Sequence, residues 1–170
     1  MYRGKLRTHT IEEYWKNEFQ ILHMPVEWNS IDIPMHRMGW WENREKFPRC
    51  SGLYILEGIR EKEGEYNPIL RIGIAAGEKG IYGRWFASQA AHYYAWKKEN
   101  FETSRYARFY SWCATNFSTV RVSFLLYPHL PVSELRSIER KLIQEFSPIW
   151  ERRDQKGFAT SAGSQNGVVP

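Results

Sequence analysis

Between Ser51 and Ala76 the chain reads SGLYILEGIREKEGEYNPILRIGIAA, with apolar runs at 52–59 and 69–74 joined by a charged connection containing Gly, Asn and Pro. Two short apolar runs around such a connection predict a β-hairpin. Each run holds one polar residue: Tyr54 among Leu53, Ile55 and Leu56, and Arg71 among Ile69, Leu70 and Ile72. A guanidinium inside a strand is costly unless it meets water or an anion. If the strands are antiparallel neighbours, the phenol and the cation can share one face. Upstream, Thr10 and Glu13 form a capping box, and Ile11, Trp15, Phe19 and Leu22 recur at helical spacing, predicting a helix over 11–22 that ends before Pro25. The stretch 26–50 is broken by Pro34 and Pro48 and reads as irregular.

Downstream, Gly77–Gly80 predicts a turn, and 81–98 a helix rich in Ala and aromatic residues. Residues 120–127, VRVSFLLY, alternate and then turn wholly apolar, as in a third strand paired on both sides. A helix follows from 131–133 to Phe146. With Ile138 as origin and about 100° per residue, Leu142, Leu135, Phe146 and Ile143 fall at roughly 40, 60, 80 and 140°. Glu139 falls at about 100°, inside that apolar arc, whereas Glu134 and Glu145 lie outside it. A carboxylate aimed inward needs a metal, an arginine or several donors. A structural salt bridge from Glu139 to Arg71 or Arg84 stays open.

Other candidates lie between these elements. Trp40 and Trp41, beside Arg37, Arg44 and Lys46, have the chemistry to stack on bases and grip phosphates, or equally to cover the hairpin. Arg84 sits near the start of its predicted helix, where the macrodipole and free backbone N–H groups favour an anion. Ser88 and His92 follow at four-residue steps; His92 is either packed against Trp85 and Trp96 or catalytic. Segment 99–116 interleaves Arg105 and Arg108 with Tyr106, Phe109, Tyr110 and Trp112, a pattern shared by nucleic-acid surfaces and by helices that pack their rings inward.

Length and composition narrow the classes. With 170 residues the expectation is one domain large enough for a core. The chain has 24 basic and 19 acidic residues, a net charge of +5 that permits a phosphate-bearing partner. Aromatic residues make up 16% of it, which excludes a disordered or low-complexity chain. Cys50 and Cys113 are the only cysteines, without CxxC or His pairing, so the expectation is reduced thiols, a cytoplasmic location and no zinc. No apolar run approaches the roughly 18 residues of a membrane span, and MYRGKLRTHT has no signal-peptide core.

Taken together, Gly52-Leu53-Tyr54, then Arg71-Ile72-Gly73 on the next strand, Arg84 in the following helix and Glu139 in a helix ending LIQEFSPIW resemble the GIY-YIG nuclease superfamily. The resemblance covers about 51–151. The literal Gly80-Ile81-Tyr82 is not its strand motif, because no second strand motif follows it and it abuts the helix. The resemblance implies an α/β domain of the α+β type, with a central three-stranded antiparallel sheet flanked by helices. Residues 1–50 would be an N-terminal extension packed on the core and 152–170 a basic, then Gly/Ser-rich tail.

The implied activity is metal-dependent hydrolysis of DNA phosphodiesters with Mg²⁺, Mn²⁺ substituting, leaving 5′-phosphate and 3′-hydroxyl ends. Glu139 would hold the metal, Tyr54 orient or deprotonate the water, and Arg84 bind the scissile phosphate. Arg71 stands where most members have Tyr and some restriction enzymes Lys; a cation beside Tyr54 favours its phenolate. Ser88 falls where several members have His or Tyr, so His92 is the candidate substitute, and Glu151 stands where many have Asn. Lys97, Lys98, Arg105, Arg108, Arg152, Arg153 and Lys156 join Arg84 as candidate DNA contacts. The compact size points to a type II restriction endonuclease acting on double-stranded DNA as a homodimer, with a cognate DNA methyltransferase in the same system. The alternatives are a non-catalytic nucleic-acid-binding protein of the same fold and a homing or repair-type nuclease.

Overall fold

The computed structural model of the chain describes residues 10–14, 16, 27–35, 42–61, 67–84, 98 and 105–149, of which 105–108, 110 and 111 are described by backbone alone. Its centre is an antiparallel sheet of four strands: β1 (Trp28–Pro34), β2 (Gly52–Ile59), β3 (Ile69–Ala75) and β4 (Thr119–Leu126), in the order β1-β4-β2-β3. The expected hairpin is β2–β3, and the expected third strand is β4, paired on both sides.

The expected three strands are four, because part of the stretch read as irregular is β1. WNSIDIP alternates: Asn29, Ile31 and Ile33 face one way, and Trp28, Ser30 and Asp32 the other. Pro34, read as a breaker, is the last residue of an edge strand, where a missing N–H costs no ladder bond. The same stretch also contains a 3₁₀ turn, Arg44–Lys46. Ile31 and Ile33 are buried, each contributing about 1.5–3 kcal/mol. The sheet's core thus depends on residues upstream of the hairpin.

The helices lie on both faces. Among the described residues they are α1 (Ile11–Tyr14), α2 (Gly80–Gly83), α3 (Arg105–Asn116) and α4 (Val132–Phe146). Tyr54, Leu56, Val120, Val122, Phe124, Ile31 and Ile33 form the first face, covered by Phe47, Ile81 of α2, Phe109 and Cys113 of α3, and Phe117. Leu53, Ile55, Ile72 and Leu125 form the second face, covered by Leu135, Ile138, Leu142 and Phe146 of α4 and by Ile11 of α1. These four α4 residues belong to the predicted apolar arc, while Glu134 and Glu145 are exposed. On α3 the rings of Phe109 and Trp112 pack inward, settling those two residues of the open pattern. The α1 capping box is formed: Glu13 N–H donates to Thr10 Oγ1 at 3.1 Å, and Thr10 N–H to Glu13 Oε2 at 2.7 Å. Trp15, Phe19 and Leu22 lie outside the described residues.

Candidate active site

The hairpin register brings Tyr54 and Arg71 onto the first face. Tyr54 pairs with Gly73 and Leu56 with Arg71, but Glu57 pairs with Ile69, so Leu70 is an extra residue in β3. This β-bulge breaks the strand's alternation. Ile69 and Ile72 belong to the second face, while Leu70 and Arg71 oppose Leu56 on the first. The bulge therefore aims Arg71 at the surface that holds Tyr54. Tyr54 is fully buried, and a Cβ built at Gly73 would lie 2.4 Å from its hydroxyl. The phenol thus occupies the space that glycine leaves on the neighbouring strand.

Arg71 is 5% exposed, and buried polar atoms of the first face include Tyr54 Oη, Arg71 Nη1 and Arg84 Nε. Arg84 follows the first turn of α2, whose Ile81 is part of the same core. Glu139 is half-buried on α4, the helix that covers the second face and lies mainly along the edge strand β3. After α4, Ser147 takes a left-handed conformation (φ 44°) and Ile149 N–H donates to Ile69 O at 3.0 Å. The chain thereby rounds the β3 edge, and Ile149 joins the first-face core. Tyr54, Arg71, Arg84 and Glu139 each make at least one polar, ionic or ring contact.

The anion site expected at the start of the α2 helix is not formed by its backbone. Gly80 N–H donates to Gly77 O, Ile81 N–H to Cys50 O, Tyr82 N–H to Pro48 O and Gly83 N–H to Lys79 O, all at 2.9–3.0 Å. The turn's own carbonyls and the 48–50 segment consume those donors, so a phosphate there would depend on the Arg84 guanidinium. Gly80 makes the docking possible: its φ is +46°, and a Cβ would fall 2.1 Å from Cys50 O.

Among the described residues no three His, Cys, Asp or Glu side chains cluster as a metal cage. Mg²⁺ needs no such cage, since it keeps several waters and binds through one or two carboxylates. His92, Ser88, Lys97, Glu151, Arg152, Arg153 and Lys156 lie outside the described residues, as do the side chains of Arg105 and Arg108. Lys98 is exposed. Both cysteines are free thiols, and burial pushes Cys113 well above, and Cys50 above, the ordinary thiol range.

A polar ladder on the second face is not evident from the sequence. Arg121 sits opposite both Asp32 and Glu57 and donates to Asp32 from Nε (2.7 Å) and Nη2 (3.0 Å); Ser30 and Ser123 are 2.9 Å apart beside it. Its members come from three strands, so only a register reveals it. Comparisons of the chain with protein-family models, with curated proteins and with solved structures return no significant match.

Proposed function

We propose that the chain is a GIY-YIG-like endonuclease that hydrolyses DNA phosphodiester bonds, with Tyr54, Arg71, Arg84 and Glu139 as its working residues. The observation that carries this reading is the bulge that turns Arg71 onto the face of Tyr54, with the phenol seated over Gly73. A guanidinium on the same face as a phenol is placed to support negative charge there, and its burial carries a desolvation cost that such a charge would help to offset. In the proposed reaction Tyr54 Oη orients the attacking water and, as the phenolate, accepts its proton and returns to the neutral phenol. Arg71 holds the phenolate's charge before that transfer, and Arg84 donates to the scissile phosphate as charge grows on its oxygens. The Glu139 carboxylate would hold Mg²⁺, which when bound supplies Lewis acidity at the phosphate and the leaving 3′ oxygen.

The biological role we propose is type II restriction of double-stranded DNA. One such site cuts one strand, so two copies are needed. Incubation with mixed plasmid and phage DNA and Mg²⁺ or Mn²⁺ should give discrete fragments with 5′-phosphate ends, and none with chelator. Random nicking by a monomer would remove the restriction role while leaving the nuclease.

A second reading draws on the burial of Tyr54 and Arg71, 0% and 5% exposed. In a non-catalytic nucleic-acid-binding protein of this fold the pair would be structural. Binding to duplex DNA that is indifferent to Mg²⁺, with no cleavage of any substrate, would select it.

A further inference from the structure

The literal Gly80-Ile81-Tyr82, which the resemblance leaves unused, ties the segment before the hairpin to the turn that leads to Arg84. Ile81 N–H and Tyr82 N–H bind Cys50 O and Pro48 O, both at 2.9 Å, and Gly80 leaves room for the Cys50 backbone. Between the two bonded carbonyls stands Arg49, its guanidinium carbon 3.8 Å from the centroid of the Tyr82 ring. Arg49 is exposed, as are Lys46, three residues before it, and Lys79, next to Gly80.

Some arginines of the described surface are held by carboxylates and others are not. Arg121 is satisfied by Asp32 through two hydrogen bonds, and Arg44 lies 3.3 Å from Glu45. Among the described residues no carboxylate pairs with Arg49. Stacking on a ring uses the face of a guanidinium and leaves its five N–H donors around the edge. The ring also holds the side chain in place, so less entropy is lost when the donors are used. A planar, positioned fork of this kind matches a phosphodiester oxygen pair.

We propose that Arg49, flanked by Lys46 and Lys79, is a second phosphate-contacting patch that holds the nucleic-acid backbone next to the stretch engaged by Arg84. It rests on the nucleic-acid reading above and adds a binding surface built in part from residues before the 51–151 region. The test is fluorescence anisotropy of the full chain with a duplex DNA oligonucleotide, in chelator so that no cleavage intervenes, titrated from about 50 to 200 mM salt. Arg49→Gln, Lys46→Gln and Lys79→Gln should each reduce the slope of log affinity against log salt by about 1 and weaken binding about five- to tenfold. Circular dichroism melts identify any variant that does not fold, and the remaining two then decide. Folded variants with the wild-type slope would overturn the patch while leaving the nuclease reading untouched. Wild-type protein that binds no duplex at any salt would overturn both.

Discussion

At the scale of single residues the candidate site rests on two small choices, a glycine and a phenol. Gly73→Ala drives a methyl group into the Tyr54 hydroxyl, so the ring or the strand must move. Overpacking of this kind costs about 1–3 kcal/mol, to be read from urea denaturation midpoints. Tyr54→Phe keeps the ring over Gly73 and should unfold within about 1 kcal/mol of wild type. Titration behaviour offers a separate check. Burial pushes the Tyr127 hydroxyl and the Cys113 thiol up from their ordinary ranges. Groups held protonated in the fold contribute their stability fully below the unfolded pKa values, about 8.5 for the thiol and 10 for the phenol. The unfolded chain releases those protons first as pH rises, so stability falls above about pH 8.5 and more steeply above 10. Tyr127→Phe should flatten the steeper part of a plot of unfolding free energy against pH; an unchanged plot would show that Tyr127 ionises equally in both states.

At the scale of elements, what was legible in the sequence is what packing periodicity dictates. The hairpin, β4 and the inward arc of α4 follow from apolar spacing, and the α1 start from its capping box. β1 was illegible because its two ends are irregular in composition and because Pro34 reads as a stop; the residue is harmless only on an edge, a property of the assembled sheet. The bulge was illegible for a related reason. Ile69-Leu70-Arg71-Ile72 fits several registers, and only pairing with β2 decides which face Arg71 takes. Two of the spent donors at the start of α2 needed partners more than 30 residues earlier in the chain, Cys50 for Ile81 and Pro48 for Tyr82, that no local pattern reveals. That docking gives its own prediction: Gly80→Ala cannot accommodate the Cys50 backbone, and its strained φ adds about 1 kcal/mol or more. Its thermal midpoint should drop more than that of Gly77→Ala, where a Cβ meets nothing within 4 Å although φ is also positive, +119°. Equal drops would mean that the seam between 48–50 and α2 contributes little.

At the scale of the whole molecule, a four-stranded sheet with helices on both faces joins the segment before the hairpin to the region of the resemblance. β1 pairs with β4 over seven positions, from Trp28 with Leu125 to Pro34 with Thr119. A fragment beginning at Ser51 loses Ile31 and Ile33 from the first-face core and bares the β4 edge, so it should aggregate or lack a cooperative melt. A soluble, cooperatively melting fragment would show that 1–50 is dispensable to the fold. Among the described residues no helix is long and apolar enough to cross a membrane. The face holding Tyr54 and Arg71 either does chemistry or only packs. The most direct measurement is single-turnover cleavage of duplex DNA with Mg²⁺ by wild type, Tyr54→Phe and Glu139→Ala, with binding measured on the same preparations. If that face does chemistry, wild type cleaves, all three proteins bind, and each variant loses about a hundredfold or more in rate. Undiminished cleavage by Tyr54→Phe, or wild-type binding without any cleavage, would contradict chemistry at that face.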